Sequence, residues 1–155
     1  DPLAMAHDLD IDLAAVMRRL ATLPKDGGNP PMGLVICDSG GFVRFLRQVP
    51  GFAMPRLAAC PLWPVYTALG QVGRVLCHDV ILSGAPEMRM RCTAIAQYQT
   101  SHDYSRPPLG EATMLVVPDV APVDDVPIPL GVACRICPRR DCRARREPSA
   151  LADGL

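Results

Sequence analysis

Lysine is nearly missing from this chain. Lys25 stands alone against fifteen arginines, and seventeen prolines and many alanines accompany it. That skew reads as compositional bias of the source genome rather than as function. Net charge is also missing, with sixteen basic and sixteen acidic residues, so no bulk electrostatic pull toward nucleic acid or membrane is expected. No apolar run reaches the length of a membrane span. The N-terminal stretch is acidic (Asp1, Asp8, Asp10, Asp12) and has no basic leader, so no export signal is expected, and the opening at Asp1 suggests a piece of a longer protein. Together these place the chain in the cytoplasm and off the membrane. Catalytic signatures are absent as well: there is no G-x-S-x-G, P-loop, G-x-G-x-x-G or H-E-x-x-H. The histidines are His7, His78 and His102. Cys77 and His78 are adjacent in an expected strand and so face opposite sides. Asp124 and Asp125 fall in a proline-rich connector and read as a solvated turn. An enzyme is not expected.

What is present suits one domain. A chain of 155 residues buries roughly two-thirds of its unfolded surface. Leu9, Leu13, Val16, Met17 and Leu20 share one stripe, which predicts an amphipathic helix over 9–23 capped by Asp8 or Asp10. Residues 24–31 are a Pro/Gly linker. Strands are expected over 33–37, 42–48, 75–82, 88–99 and 112–117, with a turn at Asp38-Ser39-Gly40-Gly41 and another at Gly84-Ala85-Pro86. A short helix is expected over 63–69, with Pro64 in its first turn. Residues 101–110 are a loop and 119–129 an acidic, proline-rich connector. The fold class is therefore α+β: an antiparallel sheet of about five strands with flanking helices, in the general layout of PAS and GAF sensor modules. The organisation divides into an N-terminal helix and linker (1–32), an α+β domain (33–130) and a cysteine- and arginine-rich C-terminal segment (131–155).

Seven cysteines without an export signal argue for metal ligands or free thiols rather than disulfides. Cys134, Cys137 and Cys142 are spaced C-x2-C-x4-C and sit among Arg135, Arg139, Arg140, Arg143, Arg145 and Arg146. Six arginines make a poor core sequence and a good thiolate environment, because positive charge favours the ionised thiol. Three thiolates are one short of a tetrahedral zinc site or a four-iron cluster. Cys37, Cys77 and Cys92 lie in expected strands, where a core role is favoured. Cys60 lies in an irregular loop and precedes Pro61, so Cys60 is the expected fourth ligand. The spacing alone leaves zinc and a cluster open. One C-x2-C pair with a further local and a remote cysteine leans toward ferredoxin-style ligation.

The run C-R-I-C-P-R-R-D-C-R-A-R followed by E-P resembles the C-terminal signature of the short-chain fatty acyl-CoA regulator family of bacterial transcription factors. The run M-P-R-L-A-A-C-P-L-W-P-V-Y over 54–66 is similar to that family's P-R-F-G-x-x-C-P-L-W hallmark. The run R-P-P-L-G-E-A over 106–112 resembles a weaker element of it. The resemblance covers about 33–148. Two departures stand out: Leu57 and Ala58 replace the hallmark's Phe-Gly, and Glu147 replaces a typically apolar residue.

The resemblance implies a sensor that binds coenzyme A or short-chain acyl-CoA and controls genes of short-chain fatty-acid metabolism. It implies a four-iron cluster, 4Fe-4S, on Cys60, Cys134, Cys137 and Cys142, and assembly as a homo-oligomer. DNA would be contacted by an N-terminal helix-turn-helix domain, a pattern this chain does not contain. For the ligand, Arg56, Arg74 and Arg106 are the expected phosphate contacts, and Trp63 and Tyr66 the expected stacking partners of adenine. The rival expectation is a zinc-binding nucleic-acid module that uses the arginine-rich segment as its phosphate-contacting patch.

Overall fold

The computed structural model describes residues 1–24, 28, 30–83, 88–99, 105, 107–118, 121 and 126–151. Lys25, His102, Arg106, the Gly84-Ala85-Pro86 turn and the Asp124-Asp125 pair lie outside the described residues.

Two helices open the chain in place of the single one expected. α1 (Pro2–Leu9) starts on Asp1, whose side chain accepts from the Leu3 amide, with Pro2 in its first turn. It ends at Asp10, which turns left-handed at φ 50°. α2 (Leu13–Ala21) restarts on Asp12, whose carboxylate accepts from the Ala15 amide. Asp1 and Asp12 therefore do the capping expected of Asp8 or Asp10. A carboxylate at the N-cap satisfies an amide that has no partner inside the helix, which favours this break. Leu9, expected on the buried stripe, is 58% exposed.

The sheet is built from β1 (Gly33–Asp38), β2 (Val43–Arg47), β3 (Leu76–Leu82), β4 (Arg89–Gln99), β5 (Leu109–Pro118) and β6 (Ile128–Leu130), in the order β2-β1-β5-β4-β3-β6. All pairs are antiparallel except β3 with β6, which is parallel. The sheet is thus mixed and has six strands, not five. The sixth comes from the segment expected to be an irregular connector. Pro129 there pairs opposite Ile81 on an outer strand, a position where a missing amide hydrogen costs no ladder bond. α3 (Pro64–Leu69) matches its expected place.

Alternation along the strands sends side chains to two cores, one on each face of the sheet. On one face Val35, Cys37, Met90, Cys92, Ala94, Ala112, Met114 and Val116 pack against Phe52, Met54, Trp63, Val65 and Ala68 of the long β2–β3 connection. On the other, Leu34, Ile95 and Leu115 pack against Ala6, Leu13, Val16, Met17 and Ala21 of α1 and α2. Glu111 of β5 adds ion pairs to Arg18 of α2 at 2.8 Å and to Arg44 at 3.3 Å.

The second face also carries a buried carboxylate. Asp79 on β3 is 1% exposed and accepts from Arg91 at 3.0 Å and Arg89 at 3.3 Å, both on β4. Removing one partner of a buried pair leaves uncompensated charge. The arginine side chains here keep 26% and 27% exposure, so water relieves part of that penalty. Asp79→Ala is expected to lower stability by about 2 kcal/mol, measured by urea unfolding. A loss below about 0.5 kcal/mol would mean that the pair contributes no more than a surface bridge.

Candidate functional site

The β2–β3 connection and the C-terminal segment meet at one short seam. Ala59 and Ala133 form an isolated antiparallel bridge, and the Cys60 amide donates to the Val132 carbonyl at 3.1 Å. The seam brings Cys60 to the segment it is remote from in sequence. Cys60, Cys134, Cys137 and Cys142 all line one small cavity, together with Pro61, Gly131, Ala133, Arg139 and Arg145. Cys60 and Cys137 are buried, whereas Cys134 and Cys142 are partly exposed.

The segment keeps its shape through backbone and arginine contacts. Cys134–Ile136 forms a 3₁₀ turn, which the Cys137 amide closes onto the Cys134 carbonyl. Arg145 donates to the carbonyls of Cys134 and Arg139, and Arg139 donates to that of Pro129 at 2.7 Å. The Ala150 amide returns to the Arg135 carbonyl at 2.9 Å. Arg139 and Arg145 therefore bring positive charge to the cavity wall while satisfying carbonyls that irregular backbone leaves open. Gly131 is required by contact: a Cβ there would lie 2.7 Å from the Cys137 Sγ.

The cavity suits a thiolate-bound group. Its donor set is four cysteines, its floor is a glycine that makes room for a sulfur, and its charge comes from arginine. Among the described residues no three His, Cys, Asp or Glu side chains are gathered closely enough to hold one ion. Four thiolates around zinc must all lie about 2.3 Å from a single centre. A four-iron cluster takes its four cysteines at four different irons and tolerates a wider set.

The remaining cysteines divide. Cys37 and Cys92 are fully buried in the first core, as expected of strand residues. Burial, aided by the Asp38 charge, pushes the Cys37 thiol from 9.0 up to about 12. Burial pushes the Cys92 thiol up as well, with Cys77 and Asp79 adding to it. Both are packing thiols. Cys77 departs from the core role expected of it: it is exposed, and the Thr93 hydroxyl donates to its sulfur at 3.8 Å.

Of the residues expected to contact a ligand, Trp63 lies wholly inside the first core, edge-on to Phe52 at 5.4 Å between ring centroids. A ring at that depth cannot stack on adenine without unpacking the core. Arg56 donates to the carbonyls of Val43 and Arg44 and so staples its loop to β2. Arg74 is exposed in the turn before β3. Arg106 lies outside the described residues. Tyr66 lines an open cleft of about 290 Å³ with Ser39, Gly40, Gly41, Ala58, Ala59, Leu69 and Arg146. Burial pushes its phenol above the ordinary value, with the sulfur of Cys37 adding to the shift and the Arg146 charge opposing it. The sequence shows the Asp38–Gly41 turn and the arginine run separately, and no local pattern joins them across this cleft.

Residues 24–153 match the family described as short-chain fatty acyl coenzyme A regulator, C-terminal. The chain is 27% identical over 162 aligned positions to the propionyl-CoA carboxylase regulator of Cereibacter sphaeroides, covering 92% of this chain and 34% of that protein. It is similar in fold to a Mycobacterium tuberculosis transcriptional regulator of known structure, with a TM-score of 0.80 and 22% identity, over 96% of this chain and 49% of that one. The chain thus spans about a third of the curated relative and about half of the solved one.

Ala58 is the strained point of this region. It holds φ at 55°, a left-handed conformation that costs a residue with a Cβ about 1–2 kcal/mol. Ala58→Gly relieves that strain and gives back about 0.5–1 kcal/mol of chain entropy. A net gain of about 0.5 kcal/mol is expected, read as a higher urea midpoint. A lower midpoint would show that Ala58 packs more favourably than its backbone suggests.

Proposed function

This chain belongs to the short-chain fatty acyl coenzyme A regulator family, and from that premise we propose that it is the sensor domain of a cytoplasmic, homo-oligomeric transcription factor, with an iron–sulfur cluster as its resident group and coenzyme A or a short-chain acyl-CoA as its signal. Its role is regulatory rather than catalytic. DNA contact belongs to a separate helix-turn-helix domain of the whole regulator. The chain's share of its relatives' length leaves room for one. No helix among the described residues is long and apolar enough to cross a membrane. An α+β sheet with helices on both faces supports the sensor-module layout of PAS and GAF type.

The observation that carries the cluster is the convergence of Cys60, Cys134, Cys137 and Cys142 on one arginine-walled cavity. Cys137 and Cys60 would be its buried ligands and Cys134 and Cys142 its outer ones. When bound, the cluster supplies redox- and iron-sensitive chemistry. The protein's own residues supply the rest: Arg139 and Arg145 hold the loop through carbonyl contacts and offset thiolate charge, and Gly131 admits the Cys137 sulfur. The seam at Ala59 and Ala133 ties the metal segment to the loop that bears Cys60, which is how cluster occupancy would reach the sheet. Zinc remains the alternative, with the arginine-rich segment then serving as a nucleic-acid patch. The use of Arg139 and Arg145 on the protein's own carbonyls, rather than on a free basic surface, favours the cluster.

Protein purified without air is expected to be brown, with broad visible absorption that bleaches on reduction and about four irons per chain. A colourless sample with one zinc per chain would sink the cluster and promote the alternative. For the ligand, calorimetry with propionyl-CoA and acetyl-CoA is expected to show weaker binding to Cys137→Ser than to the holo regulator. Linkage requires that a ligand preferring the cluster-bound state also stabilise the cluster. Equal affinities would remove the coupling. No binding to the folded, full-length holo oligomer would remove the ligand assignment and leave the cysteine site standing.

A further inference from the structure

Two cavities in this domain are lined by residues adjacent in sequence. Ala59 lines the open cleft and Cys60 the cysteine cavity, and Arg146 lines the cleft while Arg145 lines the cysteine cavity. The cleft lies between the Asp38–Gly41 turn, α3 and the end of the arginine-rich segment. At about 290 Å³ it falls at the lower limit of small-molecule sites, roughly 300–1,000 Å³. A whole coenzyme A thioester is too large for it, whereas a molecule of a few heavy atoms fits.

The lining has two characters. Arg146, Tyr66 and Ser39 provide a guanidinium, a phenol and a hydroxyl, while Leu69, Ala58 and Ala59 are apolar. Gly41 holds φ at 80°, and a Cβ there would sit 3.6 Å from the Tyr66 ring. The two glycines keep that wall free of side chains.

Arg146 makes no hydrogen bond or ion pair among the described residues. Its neighbour Arg145 and Arg139 are committed to backbone carbonyls. The acid of the facing turn is committed too: the Asp38 Oδ1 accepts from the amides of Gly40 and Phe42, both at 3.0 Å. Tyr66 and Arg146 line the same cleft. A guanidinium suits a carboxylate geometrically, with two parallel donors for two oxygens.

We propose that this cleft is a binding site for a small aliphatic carboxylate, held by Arg146 and Tyr66 at its oxygens and by Leu69, Ala58 and Ala59 along a short tail. A phosphate fits less well, because a dianion finds one cation and an apolar wall. The site needs neither the cluster nor the thioester. An occupant would nevertheless bear on Ala59 and Arg146, each next in sequence to a residue of the cysteine cavity, Cys60 and Arg145.

The test is NMR titration of the ¹⁵N-labelled holo protein with acetate, propionate and butyrate, and separately with inorganic phosphate. Saturable shifts are expected at the amides of Ser39, Gly40, Gly41 and Tyr66, stronger for propionate and butyrate than for acetate or phosphate. Arg146 is exposed, so Arg146→Gln should leave the sheet amides unmoved while weakening propionate by about tenfold or more, as expected for a lost charged hydrogen bond. Tyr66→Phe should weaken it less, and gives a second reading if the first variant is perturbed. Absence of saturable shifts, shifts centred elsewhere, tighter binding of phosphate, or unchanged affinity in both variants would each overturn the proposal. So would competition by propionyl-CoA with the same dependence on Arg146, because the cleft would then belong to the thioester site. Failure of thioester binding with propionate binding intact would instead count against the ligand assignment above and leave the cleft in place.

Discussion

The pairing of Ala59 with Ala133, reinforced by the Cys60 amide on the Val132 carbonyl at 3.1 Å, is the constraint on which the rest of this domain turns. It is a small contact between two irregular segments. Without it Cys60 would belong to one loop and Cys134, Cys137 and Cys142 to another. With it, four thiols face one cavity and two arginines line the same wall. A short backbone bridge of this kind is worth little by itself. It holds because both segments are anchored independently, one by Phe52, Met54 and Trp63 in the first core and the other by β6 on the sheet edge.

That anchoring explains the double-sided sheet. β4 and β5 run ten residues in register, from Met90 opposite Pro118 to Gln99 opposite Leu109, and supply both cores by alternation. One face is spent on the connection that carries Cys60, the other on the α1–α2 pair. The burial of Trp63 belongs to this scheme. An indole at the start of α3 fixes that helix against the sheet, and α3 in turn presents Tyr66 to the cleft. A residue that sequence reasoning assigned to a ligand thus acts one step earlier, by placing the residue that lines the cavity.

Arginine serves three separate purposes in this chain. Arg89 and Arg91 neutralise a buried carboxylate, Arg18 and Arg44 meet Glu111, and Arg56, Arg139 and Arg145 close backbone carbonyls in loops. A planar fork of donors suits all three tasks. The skew toward arginine that looked like genome bias is therefore put to use by the fold, whatever its origin.

Much of the fold was legible because it is local. Five strands and α3 follow from short apolar runs bounded by turn residues and from Pro64 at a helix start, and each lies within a few residues of its expected place. The cysteine segment stood out in the sequence because C-x2-C-x4-C among arginines has no good core explanation. What sequence could not contain was decided by contact across the sheet. The break between α1 and α2 depended on which aspartate capped a helix. β6 was hidden in a proline-rich stretch because its partner, β3, lies far along the chain. The stripe and the composition could not say that Leu9 would be exposed, that Trp63 would be buried or that Cys77 would face outward, since each depends on which face its neighbours cover. Period and spacing are properties of adjacent residues, and so the sequence by itself determined five strands, α3 and the local cluster of Cys134, Cys137 and Cys142, and could only point to Cys60 as their remote companion. Pairing of remote segments is a property of packing, and so only the tertiary structure brought Cys60 to the other three and set Arg146 beside Tyr66.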